Sequence, residues 1–132
     1  MADRLILETT FLVDLEREHR AGAEGPATRF LREHPSSALY ITMTTAGGLA
    51  TGLEQDERPH WQRLLGRFTV LEHSLDTCWA YGRAFAHLRD NGMLIGSNDL
   101  WIAAAAIAHD LPLVTRNARH FRRVPSLRVL AY

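Results

Sequence analysis

The 132-residue sequence contains no lysine: all 15 of its basic residues are arginine. Without lysine there is no phosphate-gripping P-loop lysine, no amine for a Schiff base and no phospho-receiver lysine. Cys78 is the single cysteine, which excludes an intrachain disulfide and a cysteine-based zinc cluster. It is expected to be a small core residue of a helix. The 15 acidic residues balance the basic ones, so the chain does not coat nucleic acid by bulk charge and any such binding must be local. There is no uninterrupted apolar run of about 18 residues, and no basic-then-apolar N-terminal segment. Neither a membrane span nor a signal peptide is indicated, and a cytoplasmic location is expected. The seven histidines form no HxH or HExxH pattern, so no zinc site is supported. Surface or helix-end positions are expected for all of them.

What is present concentrates between residues 95 and 121. Ser97 suits an N-cap, because its hydroxyl can accept from free N–H groups of the next turn just before the apolar run Leu100 to Ala108. A helix is expected from about Asn98, placing Asp99 in its first turn, where the helix dipole favours a carboxylate. His109, Asp110 and Pro112 end it. Leu113-Val114-Thr115 then reads as a short buried strand whose carboxyl end delivers Thr115, Arg116 and Asn117 to the surface. In open α/β sheets, sites gather at such strand ends.

The remaining chain supplies the frame. Leu5-Ile6-Leu7 reads as a first strand with Glu8 at its carboxyl end, followed by a turn and a helix carrying Phe11, Leu12 and Leu15. Gly22, Gly25 and Pro26 break the chain before a second helix over 27–34, and Leu39-Tyr40-Ile41 is the second strand. Thr44 or Thr45 is expected to cap a third helix, which contains Gly47-Gly48 although glycine costs about 1 kcal/mol relative to alanine there. A fourth helix spans 58–67 and a third strand 68–71. Asp76 is expected to cap a longer helix on which Cys78, Tyr81, Phe85 and Leu88 share a face, with its aromatics mostly in the core. A last strand is read at Leu127 to Leu130. Strands alternating with helical crossovers imply one domain over 1–132, with a parallel sheet covered on both sides.

The strand ends then bring Glu8 and Asn117 together, and helix starts supply Asp99 and position 48. Carboxylate and amide oxygens without cysteine or paired histidine suit a hard divalent cation, magnesium or manganese. Such an ion lowers the pKa of bound water and neutralises phosphoryl charge, as phosphodiester hydrolysis requires. Arg116, Arg119, His120, Arg122 and Arg123 follow the Asn117 strand end and suit a polyanionic substrate, with a solvated charged helix as the plainer reading. No aromatic platform for base stacking is evident beside them.

Four segments carry a resemblance: L-I-L-E-T-T-F-L-V-D-L, I-T-M-T-T-A-G-G-L-A-T-G, Y-G-R-A-F-A-H-L-R-D-N-G-M-L-I-G-S-N-D-L-W-I-A-A and L-V-T-R-N-A-R-H-F-R-R-V-P-S-L-R-V. Together they resemble a PIN domain, and within that superfamily the VapC toxins of bacterial VapBC toxin–antitoxin pairs. The resemblance implies a three-layer α/β sandwich whose mostly parallel sheet has four to five strands. It also implies a magnesium- or manganese-dependent endoribonuclease, often a homodimer, blocked by a VapB-like antitoxin.

The family's acids map onto Glu8, position 48, Asp99 and Asn117, and the chain departs from them twice. Glu8 stands where aspartate is usual. Gly48 stands where the motif A-E-L-x-x-G would place glutamate. Two formal negative charges remain, Glu8 and Asp99, and cation affinity should fall with ligand charge. Glu54 is a poor substitute, since six residues past Gly48 is about 600° of helix rotation.

The chain is therefore expected to be an impaired or inactive nuclease. A degenerate toxin and a disarmed variant would read identically, although the costly Gly-Gly pair slightly favours the second. Thr9, Ser97 and Thr115 are expected as supporting residues, and Arg116 and Arg119 as RNA-steering residues. The alternative is an inactive PIN scaffold that binds antitoxin or RNA, with Leu12, Leu15, Phe30 and Leu53 as antitoxin contacts or, equally, core.

Overall fold

The computed structural model describes residues 3–132. Five strands, β1 (Arg4–Leu7), β2 (Ala38–Thr42), β3 (Thr69–Leu71), β4 (Leu113–Val114) and β5 (Val129–Leu130), form one sheet in the order β3-β2-β1-β4-β5. Every pairing is parallel. Seven helices connect them: α1 (Thr9–Ala21), α2 (Pro26–Glu33), α3 (Met43–Ala50), α4 (Arg58–Leu65), α5 (Leu75–Asp90), α6 (Ser97–Ala108) and α7 (Ala118–Phe121).

Side-chain alternation along the strands builds two cores, one on each face of the sheet. Leu5, Leu7 and Val114 point to one face and join Phe11, Phe30, Ile41 and Ala46. Ile6 and Leu113 point to the other and join Leu88, Leu100, Ala103 and Phe121. The run Ala103 to Ala106 is buried throughout, so α6 packs against both the sheet and α5 through small side chains that permit close approach.

Several helix starts lie elsewhere than the sequence suggests. Thr42, not Thr44 or Thr45, caps α3 by accepting from the Thr45 N–H. Ser74, not Asp76, caps α5 by accepting from the Thr77 N–H. Gly96 precedes α6, and Ser97 is an exposed first-turn residue. In each case the cap is the last residue of extended or non-helical backbone, a condition that a cluster of capping residue types does not reveal. Strand β2 runs on to Thr42, which places the extended residue there.

The inward face of α5 carries Thr77, Ala84 and Leu88, with Tyr81 partly buried. Cys78 is exposed, correcting its expected core position. Phe85 is also substantially exposed, and the outward crest bears Leu75, 87% exposed, and Trp79, 69% exposed. The end of α6 is closed by Asp110 in the left-handed region at φ 53°, with Leu111 N–H donating to Ala106 O and Asp110 N–H to Ile107 O. Arg128 donates to the Asp110 carbonyl at 2.6 Å.

One capping interaction spans two helices. Gly25, the residue before α2, has no side chain to offer. Glu18 of α1 takes its place: its carboxylate accepts from the N–H groups of Gly25 (3.0 Å), Ala27 (3.0 Å) and Thr28 (2.8 Å). Burial works to raise the Glu18 pKa, but these hydrogen bonds outweigh it and hold the carboxyl below its ordinary 4.5.

Candidate active site

The sheet reverses its order at β1, where β2 lies on one side and β4 on the other. The carboxyl ends of β1 and β4 therefore open the crevice in which doubly wound sheets place their ligands. Glu8 follows β1 and is 3% exposed. It also caps α1: its Oε2 accepts from the Thr10 N–H at 2.9 Å, from the Thr115 hydroxyl at 3.0 Å and from the Thr10 hydroxyl.

Thr115, fully buried after β4, passes the network on by accepting from the Asn117 N–H at 3.0 Å. Glu8, Thr10, Thr115 and Asn117 thus form one connected polar chain across the switch point. A carboxylate so deep tolerates burial because three donors replace its lost water.

Asp99 lies in the first turn of α6, partly exposed. Its Oδ2 is 3.1 Å from His120 Nε2. His120 belongs to α7, which starts after Asn117 and whose His120 and Phe121 N–H groups donate to the Asn117 carbonyl. Asp99 is therefore joined to the strand-end network through α7. His120, which the sequence places in the basic cluster after Asn117 and among helix-end histidines, also contacts Asp99, a pairing the sequence does not reveal. Thr10 and Asp14 were also passed over.

The other expected supporting residues divide. Thr115 touches Glu8, whereas the Thr9 hydroxyl instead pairs with Thr45 at 3.2 Å, tying α1 to the start of α3. Ser97 is exposed beside Asp99 in sequence. Gly48 lies on α3 one turn beyond Thr45, exposed, and a methyl built there meets nothing within 4 Å. Glu54 lies beyond the end of α3, its N–H donating to Glu57 Oε1.

The two expected RNA-steering arginines are in different situations. Arg116 is engaged, donating to Asp14 Oδ1 at 2.7 Å. Asp14 also accepts from the Tyr132 hydroxyl at 2.6 Å, and burial followed by this bond pushes the Tyr132 phenol above its usual range. Arg119 has no carboxylate within 4.0 Å among the described residues, and neither does Arg123. Together with Arg116, Asn117 and His120 they line an open depression of about 630 Å³.

The donor set fits a divalent ion poorly. Among the described residues no group of three or more His, Cys, Asp or Glu side chains stands close enough to hold a metal. The Glu8 Oε2 is saturated by protein donors, Asp99 is engaged by His120, and position 48 offers no oxygen. Magnesium is usually held by one or two carboxylates together with waters and substrate phosphates; here one oxygen of Glu8 and one of Asp99 are engaged within the chain, and Gly48 adds none.

A parallel, doubly wound sheet with Glu8, Thr115 and Asn117 joined at its switch point defines an α/β domain with a polar strand-end crevice. The PIN domain family model matches residues 5–127. The chain belongs to the PIN domain family, and within it groups with proteins named Ribonuclease VapC. It is 36% identical to Ribonuclease VapC of Rickettsia bellii over 96% of this chain and 94% of that one. It is 40% identical to Ribonuclease VapC2 of Rickettsia felis, a match spanning 48% of this chain and 47% of that protein. Among solved structures, VapBC2 of Rickettsia felis bound to a DNA fragment from their promoter superposes with a TM-score of 0.81, covering 98% of each chain at 24% identity. That likeness establishes the shared fold, with all five strands parallel.

Proposed function

We propose that this chain is the toxin component of a type II toxin–antitoxin pair, an endoribonuclease scaffold whose phosphodiester cleavage is impaired because Gly48 replaces the expected acid. The relatives' names and the arginine-lined depression beside the Glu8–Thr115–Asn117 network support the RNA reading. The observation that carries the impairment is Gly48. The test is Gly48→Glu, which the open space at that position accommodates. With magnesium or manganese present, the variant should cleave RNA that the parent leaves largely intact. Absence of any gain counts against position 48 as the missing acid.

A second reading is favoured by the lack, among the described residues, of any three His, Cys, Asp or Glu side chains close enough to hold a metal: a module that no longer cuts but still captures antitoxin or RNA. Ion titration alongside antitoxin binding separates the two. Saturable ion binding favours the nuclease; intact antitoxin capture without it favours the module.

The partner we propose is a VapB-like antitoxin carrying an amphipathic helical segment. A groove of about 780 Å³ between α1, α2, α3 and α4 is lined by Leu12, Leu15, Leu31, Leu49, Leu53 and Phe68. Such a groove suits the apolar face of a helix. Leu15 and Leu53 line it, Leu12 borders it from the core, and Phe30 lies in the core outside it.

We also propose a homodimer, formed through the outward crest of α5. In an antiparallel pair of these helices about a two-fold axis, setting Trp79 against the partner copy's Gly82 also sets Leu75 against Ala86 and brings Asp76 near Arg83. Large residues then meet small ones and charges meet their opposites, which is the self-complementarity an isologous interface needs. A cytoplasmic location completes the proposal; among the described residues no helix is long and apolar enough to cross a membrane.

A further inference from the structure

The depression at the end of β4 is lined by Arg116, Asn117, Arg119, His120 and Arg123, with no Asp or Glu among them. Asp14 and Asp99 approach its rim through Arg116 and His120, but neither lines it. Arg119 and Arg123 are exposed and have no carboxylate within 4.0 Å among the described residues. Such a surface takes an anionic occupant. The apolar groove between α1, α2, α3 and α4 carries Arg17 on its lining. Arg17 and Arg116 reach the same oxygen: Asp14 Oδ1 lies 3.6 Å from Arg17 Nη1 and 2.7 Å from Arg116 Nη1. Groove and depression therefore meet across one carboxylate of α1, and a segment leaving the groove past Arg17 enters the depression past Arg116.

A nucleic acid has little to offer the apolar half of this track, whereas a peptide can set a helix face into the groove and carboxylates against the arginines. We infer that the antitoxin segment adjoining the groove helix is acidic, its Asp or Glu side chains pairing with Arg119 and Arg123 and filling the depression. The inference rests on the antitoxin reading proposed above and adds the sign of the partner's charge and the residues that meet it. Arg116 contributes less than its neighbours, because Asp14 already holds it.

The probes are labelled synthetic peptides, titrated with the purified chain by fluorescence anisotropy. One is an amphipathic, leucine-faced helix extended at its C-terminus by a run of glutamates, and its twin carries glutamines instead; a second pair bears the same tails at the N-terminus. In one of the two pairs the glutamate peptide should bind about fivefold more tightly at low salt, as two exposed Arg–carboxylate pairs would give, and the advantage should shrink as salt is raised. Arg119→Ala with Arg123→Ala should bring that peptide down to its twin and leave the twin unchanged. Both side chains are exposed, and circular dichroism checks that the fold is retained. Leu53→Glu should weaken both twins, because Leu53 lines the groove.

Equal binding of the twins in both pairs, or a glutamate advantage that survives the double arginine variant, overturns the inference and leaves the groove reading standing. Failure of every peptide to bind, or binding unmoved by Leu53→Glu, overturns the groove reading and the inference with it. A labelled single-stranded RNA is run alongside. RNA that binds through Arg119 and Arg123 and is not displaced by the glutamate peptide assigns the depression to RNA alone, which also overturns the inference.

Discussion

Replacing Gly25 by alanine should destabilise the protein through a residue seven positions away. The added methyl would stand 2.5 Å from Glu18 Cδ and 2.7 Å from Oε2, closer than real carbon contacts allow. Backbone strain plays no part, since Gly25 is extended at φ −129° and ψ −166°. The Glu18 side chain must withdraw, and with it go the acceptors for the Gly25, Ala27 and Thr28 N–H groups at the start of α2. Loss of one side-chain cap costs about 1 kcal/mol, and hydrogen bonds to a charged acceptor contribute about 1.5–3 kcal/mol. Water can replace part of the lost bonding at this half-exposed site, so the expected loss is about 2 kcal/mol.

Urea denaturation at neutral pH measures it, with Glu18→Gln as the companion variant. Both substitutions break the same contact, so their effects should be strongly non-additive. The pH dependence follows from sign. The fold holds Glu18 below its ordinary 4.5, so its contribution is complete above that pH and is lost as pH falls through the lowered folded value. The gap between parent and Glu18→Gln should therefore narrow on acidification below pH 4.5. A Gly25→Ala variant as stable as the parent, or two effects that simply add, would refute the clamp.

Thr115→Val, nearly isosteric and fully buried, removes one of three donors to Glu8 and the acceptor of the Asn117 N–H. It should cost about 1.5–3 kcal/mol by thermal or urea unfolding, and a loss below about 0.5 kcal/mol would show that the network is not maintained in solution. Trp79→Glu on the outward crest of α5 should convert the proposed dimer to monomer by light scattering, while leaving far-ultraviolet circular dichroism unchanged. Asp110→Gly relieves a left-handed residue and should raise stability by about 0.5–1 kcal/mol, less whatever the exposed Arg128 contact contributes, as read from the shift in melting temperature.

The alternation of strands and helices was legible because the apolar runs at 5–7, 39–41 and 113–114 are short, and the segments between them are long enough to cross over. The convergence of Glu8 with Asn117 followed from that parallel arrangement. Cap positions were not legible where several capping residue types stand together, as in Thr42 to Thr45 and Ser74 to Asp76.

The orientation of α5 was misread because it presents two apolar stripes. Residues 77, 81, 84 and 88 face the core, while 75, 79, 82 and 86 lie opposite and carry a leucine and a tryptophan of their own. The pairing of His120 with Asp99 was not legible because α7 is a single turn, too short for periodicity to reveal, and Asp99 is distant in sequence. Glu18 left no local signal either, since its role depends on where α1 lies beside α2.

The sheet is flanked by β3 and β5, three and two residues long. So few unpaired N–H and C=O groups offer little for a further strand to join, and the pattern blunts edge-to-edge growth. Copies of this chain have small means of associating by extending their sheets. The exposed crest of α5 and the apolar groove beside α1 are helical surfaces apart from those edges, wide enough to meet different neighbours at once.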